Sequence, residues 1–349
     1  MSVSPAVADL GDDWRRRIAG LPTDVRIELA RRADVAPLFA HAYAFHLNFR
    51  FGGMKPFELA EFARRYGLAG LKIHVGDGEG ASLSAMSGGE LSVFGRQVRE
   101  LGLEVHVETS TTSPDGLSDA VMRALAVGAT SLRCYPLYEG RISQIVSWAI
   151  DDLRRLPQYD PDGRLRVTLE QHEDLKSDEL VHIVNAVANP NLSLLFDFAN
   201  MVNAYERPLD ALARQAQHIT EVHVKDCLIE ADRGGWAHLA CASGQGHLPM
   251  HAMLVELLLL GADKPQVRAF GLEEEEGYFA PALRWPGQGE DPFIAARTES
   301  LTEIGSSNLD IRLKREAAAA AEQVCTIMAM LDEIATEARR PSRPEGGND

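Results

Sequence analysis

The feature that most constrains this chain is a repeated unit, a short β-branched run followed by an amphipathic helical stretch, recurring from about residue 41. The runs begin near residues 43, 71, 103, 130, 165, 192, 219 and 267. Strict alternation at this spacing is the signature of parallel βαβ units, and eight of them favour a closed (β/α)8 barrel over an open sheet. The helices between the runs are punctuated accordingly. Pro56 opens PFELAEFARRYG, Ser113 and Pro114 precede DGLSDAVMRALAVG, and Gly67, Gly102, Gly128 and Gly261 close their helices. The expected architecture is an α/β barrel over residues 41–338 with helical extensions at both ends. Residues 1–40 form the first extension, an Ala-rich helix of about Ile311 to Arg339 the second, and 339–349 a disordered tail. A chain of 349 residues has room for this, because one such barrel needs about 250 residues.

The stretch RLRVTLEQHE places an apolar strand directly under a carboxylate, Glu170, and three later segments repeat the design. LSLLFDFAN ends on Asp197 and Asn200, ITEVHVKD carries His223, Lys225 and Asp226, and QVRAFGLEEEE reaches Glu273. Each run turns from apolar to ionisable at its C-terminal end, where barrel enzymes keep their chemistry. Three carboxylates and one imidazole make a mixed oxygen and nitrogen ligand set that suits Mn²⁺, Mg²⁺, Co²⁺ or Zn²⁺.

Side-chain parity sharpens the assignment, since successive residues of a strand face opposite sides. One parity is apolar: Ile73, Val105, Val107, Val167, Leu169, Leu194, Phe196, Val222, Val224, Phe270 and Leu272. The other holds Lys72, His74, Glu104, His106, Glu108, Glu170, His172, Asp197, His223, Lys225 and Glu273. Barrel interiors are normally filled with Val, Ile and Leu, so this many inward ionisable groups are costly unless they meet a metal or a polar ligand. Ala269 and Gly271 leave room beneath Glu273. Glu274 and Glu275 are expected to be a solvated acidic run. Two connections exceed plain βα turns: Cys227 to His247, containing Trp236, and Glu274 to Asp310, which is expected to act as a lid. The loop GDGEGASLSAMSGG lacks nucleotide-binding spacing.

Composition narrows the partners. A formal net charge of -16 argues against nucleic acid, whose phosphates need clustered Lys and Arg. The four cysteines form no CxxC pair, so neither a disulfide framework nor a zinc ribbon is indicated and a reducing cytoplasm is the expected setting. The N-terminal stretch lacks an apolar h-region, and the Leu-rich run 254–260 is too short to span a bilayer. No membrane is expected; self-association is left open.

Taken together, Glu170, Asp197, His223 in HVKD and Glu273 in GLE resemble the metal site of the xylose-isomerase-like TIM barrels, the superfamily of sugar isomerases, ketose 3-epimerases, inosose dehydratases and endonuclease-IV-like proteins. The resemblance covers about residues 40–335. It implies that the four residues bind one divalent ion per chain, Mn²⁺ first among the candidates, with Glu170 and Glu273 also serving as catalytic bases toward a small carbohydrate. His74, His106, Glu108, Asn200, Lys225 and Trp236 are the expected substrate contacts. The implied activity is isomerization or epimerization of a ketose or keto-sugar through an enediolate. The sequence departs from the epimerase pattern at Asn200, where many relatives have His, and at Lys176 and Ile229. Asp-x-x-Asn, HVKD and GQGHLP look more like branches that include decarboxylases of 3-oxo sugar acids and lyases of 3-oxo glycosides, which stands as the alternative.

Overall fold

The computed structural model describes residues 13–275, 277–296 and 308–341. Thirteen strands occur among them: β1 Leu38–His41, β2 Gly70–His74, β3 Glu104–Glu108, β4 Ser131–Cys134, β5 Gly140–Arg141, β6 Arg166–Glu170, β7 Leu192–Asp197, β8 Ile219–Val224, β9 Asp226–Asp232, β10 Gly235–Cys241, β11 Ala269–Leu272, β12 Phe279–Ala280 and β13 Phe293–Ile294. Eight pair in parallel in the order β1-β2-β3-β4-β6-β7-β8-β11, and β11 closes on β1. The expected barrel is present. Its apolar parity, Ile73, Val107, Leu169, Phe196, Val224 and their neighbours, is buried under the surrounding helices in one continuous core.

The first strand lies earlier than expected. Residue 43 falls in a 3-10 turn, Ala42–Phe45, and β1 occupies Leu38–His41, inside the segment assigned to the N-terminal extension. LFAH is too short to show an alternation of its own; it is recruited by its neighbours, with Phe39 opposite Gly271 on one side and Gly70 on the other. The helices obey their punctuation: Pro56 and Pro114 sit at the first positions of Pro56–Arg65 and Pro114–Val127, and Gly128 ends the latter in the left-handed region at φ 74°.

The C-terminal helix, Leu309–Arg339, packs along the helix Thr23–Asp34 and reaches the barrel. Glu316 accepts from the backbone N–H of Leu47 and Asn48 at 2.7 and 2.9 Å. Gln323 Nε2 donates to the carbonyl of Val224 at 2.9 Å, between His223 and Lys225 in sequence.

The two long connections are more ordered than the sequence suggests. Residues 226–241 form an antiparallel hairpin, not a loop, and its turn has both Arg233 and Gly234 at positive φ, the geometry that matches strand twist. The connection after β11 adds β12 to that hairpin and pairs β13 with β5. The rest of the expected lid, 297–307, lies outside the described residues, as do 1–12 and 342–349.

Candidate metal centre

The centre is built by register. β7 and β8 pair Asp197 with His223, and β8 and β11 pair His223 with Gly271, so the imidazole has a carboxylate-bearing strand on each side. A Cβ on Gly271 would stand 2.6 Å from Lys72 Cδ and 3.2 Å from His223 Cδ2, so only glycine leaves room for both side chains. One ligand atom each from Glu170, Asp197, His223 and Glu273 falls within 4.8 Å of the others, and all four residues are buried. His223 Nδ1 lies 2.7 Å from Glu273 Oε2, 3.3 Å from Glu170 Oε1 and 3.9 Å from Asp197 Oδ2. Lys225 Nζ stands 2.9 Å from Asp197 Oδ2 and 3.9 Å from Glu273 Oε2.

These contacts are ionic without being hydrogen bonds. His223 Nδ1, Glu170 Oε2, Asp197 Oδ2 and Glu273 Oε2 are each buried with no hydrogen-bond partner. Buried polar atoms are normally paired, so His223 Nδ1, Asp197 Oδ2 and Glu273 Oε2, three such atoms in one cluster with the Glu170 carboxylate, fit a cation as their common partner. The charge agrees. Three carboxylates against the ammonium of Lys225 leave a surplus near minus two, which one divalent ion offsets once His223 is neutral.

The protonation pattern reflects that crowding. Burial opposes ionisation of Glu170, yet Arg133 and His223 hold its carboxyl down at about 2, and His223 and Lys225 hold Glu273 well below the carboxylate range. For Asp197 burial prevails: with Glu273 and Glu170 adding to it against Lys225, its pKa is pushed up to about 6. Burial would keep His223 neutral, but Glu273, Glu108 and Glu170 hold it well above the usual imidazole range. A metal arriving at Nδ1 therefore displaces a proton.

The residues expected to touch substrate divide by depth. Asn200 donates from Nδ2 to Glu170 Oε1 at 3.4 Å, and its backbone N–H and that of Ala199 each donate to Asp197 Oδ1 at 2.8 Å. Lys225 lies at the ligand group. His74 sits at the rim with Nε2 3.1 Å from Ser110 Oγ, its pKa lowered to about 4 by burial and Arg133. Trp236, on the hairpin, lies against Tyr205 with the rings tilted and their centroids 4.3 Å apart. Two lie deeper. His106 is near the barrel floor, with Nδ1 3.1 Å from Glu221 Oε2 and its ring against Phe39. Glu108 is fully buried, with Oε1 3.0 Å from His223 Nε2 and Oε2 3.1 Å from His41 Nε2. Glu104, read as inward, is exposed at the bottom edge of β3 and accepts from Thr130 Oγ1 at 2.7 Å.

Glu274 and Glu275 are not solvated. Both are buried in the segment between β11 and β12, and Glu274 accepts from Ser243 N and Oγ at 2.8 and 3.0 Å. Burial, reinforced by Glu273, Asp197 and Glu173, raises Glu275 well above the ordinary range in spite of Lys225. Three inward groups were missed: His41, Arg133 and Glu221. The alternation of SLRC and ITEVHV placed Arg133 and Glu221 on the ionisable parity, so that signal was available; His41 was lost with the misplaced first strand. Arg133 donates from Nη2 to Glu108 and holds Nε 3.1 Å from Glu170 Oε2.

Comparison with known proteins agrees with this geometry. The profile of the xylose isomerase-like TIM barrel family matches residues 60–285. A protein of Escherichia coli designated uncharacterized protein YihM is 46% identical over 89% of this chain and 96% of its own. The 3-oxo-isoapionate decarboxylase of Pectobacterium atrosepticum is 24% identical over 50% of this chain and 63% of its own. Among solved structures, a xylose isomerase-like TIM barrel protein from Mycobacterium smegmatis in complex with magnesium aligns with TM-score 0.56 at 16% identity, covering 87% of this chain and 99% of its own. D-psicose 3-epimerase from Clostridium cellulolyticum, solved with D-tagatose, aligns with TM-score 0.58 at 12% identity over 84% and 99%. The chain belongs to the xylose isomerase-like TIM barrel family.

Proposed function

We propose that the protein is a metal-dependent isomerase or epimerase acting on a small ketose or keto-sugar by moving a proton at the carbon beside a carbonyl. The observation that carries this reading is the convergence of four buried ligand side chains at the C-terminal mouth of the barrel, three of which, Asp197, His223 and Glu273, present an atom there without a hydrogen-bond partner. One divalent ion per chain, Mn²⁺ first and Mg²⁺, Co²⁺ or Zn²⁺ as alternatives, would polarise the substrate carbonyl and stabilise the enediolate that develops. Glu170 and Glu273 do the proton work. Both are held ionised at neutral pH, and each has a second carboxylate oxygen to accept a proton and return it on the opposite face or the adjacent carbon. Lys225, almost fully buried beside Asp197, is placed to hold a carbonyl or carboxylate oxygen of the substrate. The D-psicose 3-epimerase neighbour supports a sugar substrate, and the magnesium complex supports a divalent ion. Four unpaired cysteines fit a reducing cytoplasm, and among the described residues no helix is long and apolar enough to cross a membrane.

Two observations favour a second reading. The decarboxylase relative and the Asn200 amide against Glu170 fit a lyase, in which either departing CO₂ leaves its bonding pair to the same carbonyl, or a carboxylate takes the proton beside that carbonyl and the resulting enolate expels an aglycone with its bonding pair. Incubation with ketoses, keto-sugars and 3-oxo sugar acids in D₂O separates the two. Deuterium gained beside the carbonyl without carbon loss marks the isomerase; released CO₂ or aglycone marks the lyase. Either way Glu170→Gln should slow turnover by roughly 10²–10⁴-fold, the ordinary worth of a positioned base. Turnover that persists in chelator would sink both readings.

A further inference from the structure

We infer that Glu108 is the positioning residue of the metal centre: it keeps the proton of His223 on Nε2, leaving Nδ1 for the ion, and through Arg133 it orients Glu170. The inference rests on the metal reading above and concerns residues that do not themselves bind the ion. Glu108 Oε1 stands 3.0 Å from His223 Nε2, on the far side of the ring from the ligand group. An imidazole that donates from one nitrogen to a carboxylate presents its lone pair at the other, and a carboxylate behind a metal-binding His fixes ring orientation as well as tautomer. Nδ1 is the atom that faces Glu273, Glu170 and Asp197. The other oxygen of Glu108 accepts from Arg133 Nη2, whose Nη1 donates to the carbonyl of Thr109 at 3.3 Å and whose Nε lies 3.1 Å from Glu170 Oε2. One buried carboxylate thus supports two of the four ligands from behind.

Two other roles for Glu108 fail on the same geometry. His41, Glu108 and His223 also offer atoms within 4.8 Å of one another, a spacing that could hold a second ion. Arg133 is bonded to that carboxylate, however, and Lys72 Nζ lies 3.8 Å from it, so a second divalent cation would meet two buried cations at close range. A substrate hydroxyl is excluded too, since the residue is fully buried and both oxygens are taken by His223, His41 and Arg133.

Glu108→Gln tests this, because an amide of the same shape must aim its NH₂ at a donor, either His223 Nε2–H or Arg133. Titration of the purified protein with Mn²⁺ should show one ion per chain in wild type and in the variant, with affinity lowered about 10–100-fold in the variant. His41→Ala removes one donor to Glu108 and leaves the bond to His223, so its loss should be smaller. A folded Glu108→Gln protein with wild-type affinity overturns the inference, as does an equal loss in His41→Ala, which would mean general loosening. Should the variants not fold, ¹⁵N NMR of the wild type loaded with Zn²⁺ decides: a slowly exchanging proton on His223 Nε2 supports the role, and one on Nδ1 overturns it. A wild type that binds no ion defeats the metal reading and this inference together, whereas wild-type affinity in Glu108→Gln defeats the inference alone.

Discussion

Two layers of the barrel interior use the same residue types to opposite ends. On the floor, the Glu221 carboxylate accepts from Lys72 and from Ser131, with His106 Nδ1 3.1 Å away. Burial opposes its charge, yet His106 and Lys72 hold it well below the usual carboxylate range. At the mouth, Glu170, Asp197 and Glu273 are as deeply buried, yet each keeps an oxygen without a hydrogen-bond partner. The floor is neutralised by the protein itself, and the mouth is left for something else to neutralise. Buried ionisable groups are therefore not informative as a class; what marks a site is the shortfall in their partners.

The widest gap between the layers should appear on truncation. Glu221→Ala leaves Lys72 as a buried charge without its carboxylate and should cost about 3–5 kcal/mol in urea unfolding. Glu273→Gln removes a carboxylate that His223 and Lys225 stabilise, but Glu108 and Asp197 stay beside those two cations, so it should cost clearly less metal-free stability than Glu221→Ala, while tight metal binding is lost. Equal costs would erase the distinction between the layers.

Metal itself sharpens the contrast next. At a hundred times its dissociation constant Mn²⁺ should stabilise the wild type by about 2.7 kcal/mol and leave Glu273→Gln unmoved. Asp197, with its pKa near 6, must be ionised to bind and His223 must give up a proton, so the gain should still be rising with pH at neutrality and shrink further as pH falls through about 6. A gain independent of pH from 7 to 5, followed by thermal melts, would remove Asp197 from the ligand set.

A third change joins the layers. Gly271→Ala drives a methyl into Lys72 below and His223 beside it, and overpacking of this kind costs about 1–3 kcal/mol. It should lower both the melting temperature and metal affinity; a loss of one alone would mean that the layers are independent.

The smallest effect belongs to the cover. His238, buried in β10 with Nδ1 2.7 Å from Asn203 Oδ1, is lowered to about 3 by burial and then by Lys225. The unfolded chain takes up a proton near 6.5 that the folded one refuses, so stability present above 6.5 is lost as pH falls toward 3. By pH 5.5 this amounts to about 1.4 kcal/mol. Hydrogen exchange of residues 226–241, corrected for intrinsic rate, should quicken accordingly, and a His238→Gln protein should lack the effect.

Much of this was legible in the chain. Alternation in RVTLE, LLFD, EVHV and AFGL fixes both the barrel and the strand-end ligands, because period two leaves each side chain one face only. What escaped depended on partners distant in sequence. β1 is a strand because β2 and β11 flank it, and its four residues carry no pattern that could locate His41. Depth escaped as well: parity says that His106 and Glu108 point inward, but not that one rests on the floor and the other behind His223. The hairpin could have been read from Asp-Arg-Gly-Gly, a turn with glycine where positive φ is needed. Burial of Glu274 and Glu275 could not, since it depends on partners distant in sequence, such as Ser243 against Glu274.

Gln323 sits late in the chain and clasps the carbonyl of Val224, one peptide away from the ligand His223. All four ligands leave the ribosome before that clasp exists, so the nascent protein can gather its donor atoms before it can hold β8 still. Under the proposed metal reading, order of synthesis separates a stage of loose metal capture from a stage of locking. On that reading a Gln323→Ala protein should show the consequence, exchanging its ion with free EDTA faster than the wild type does.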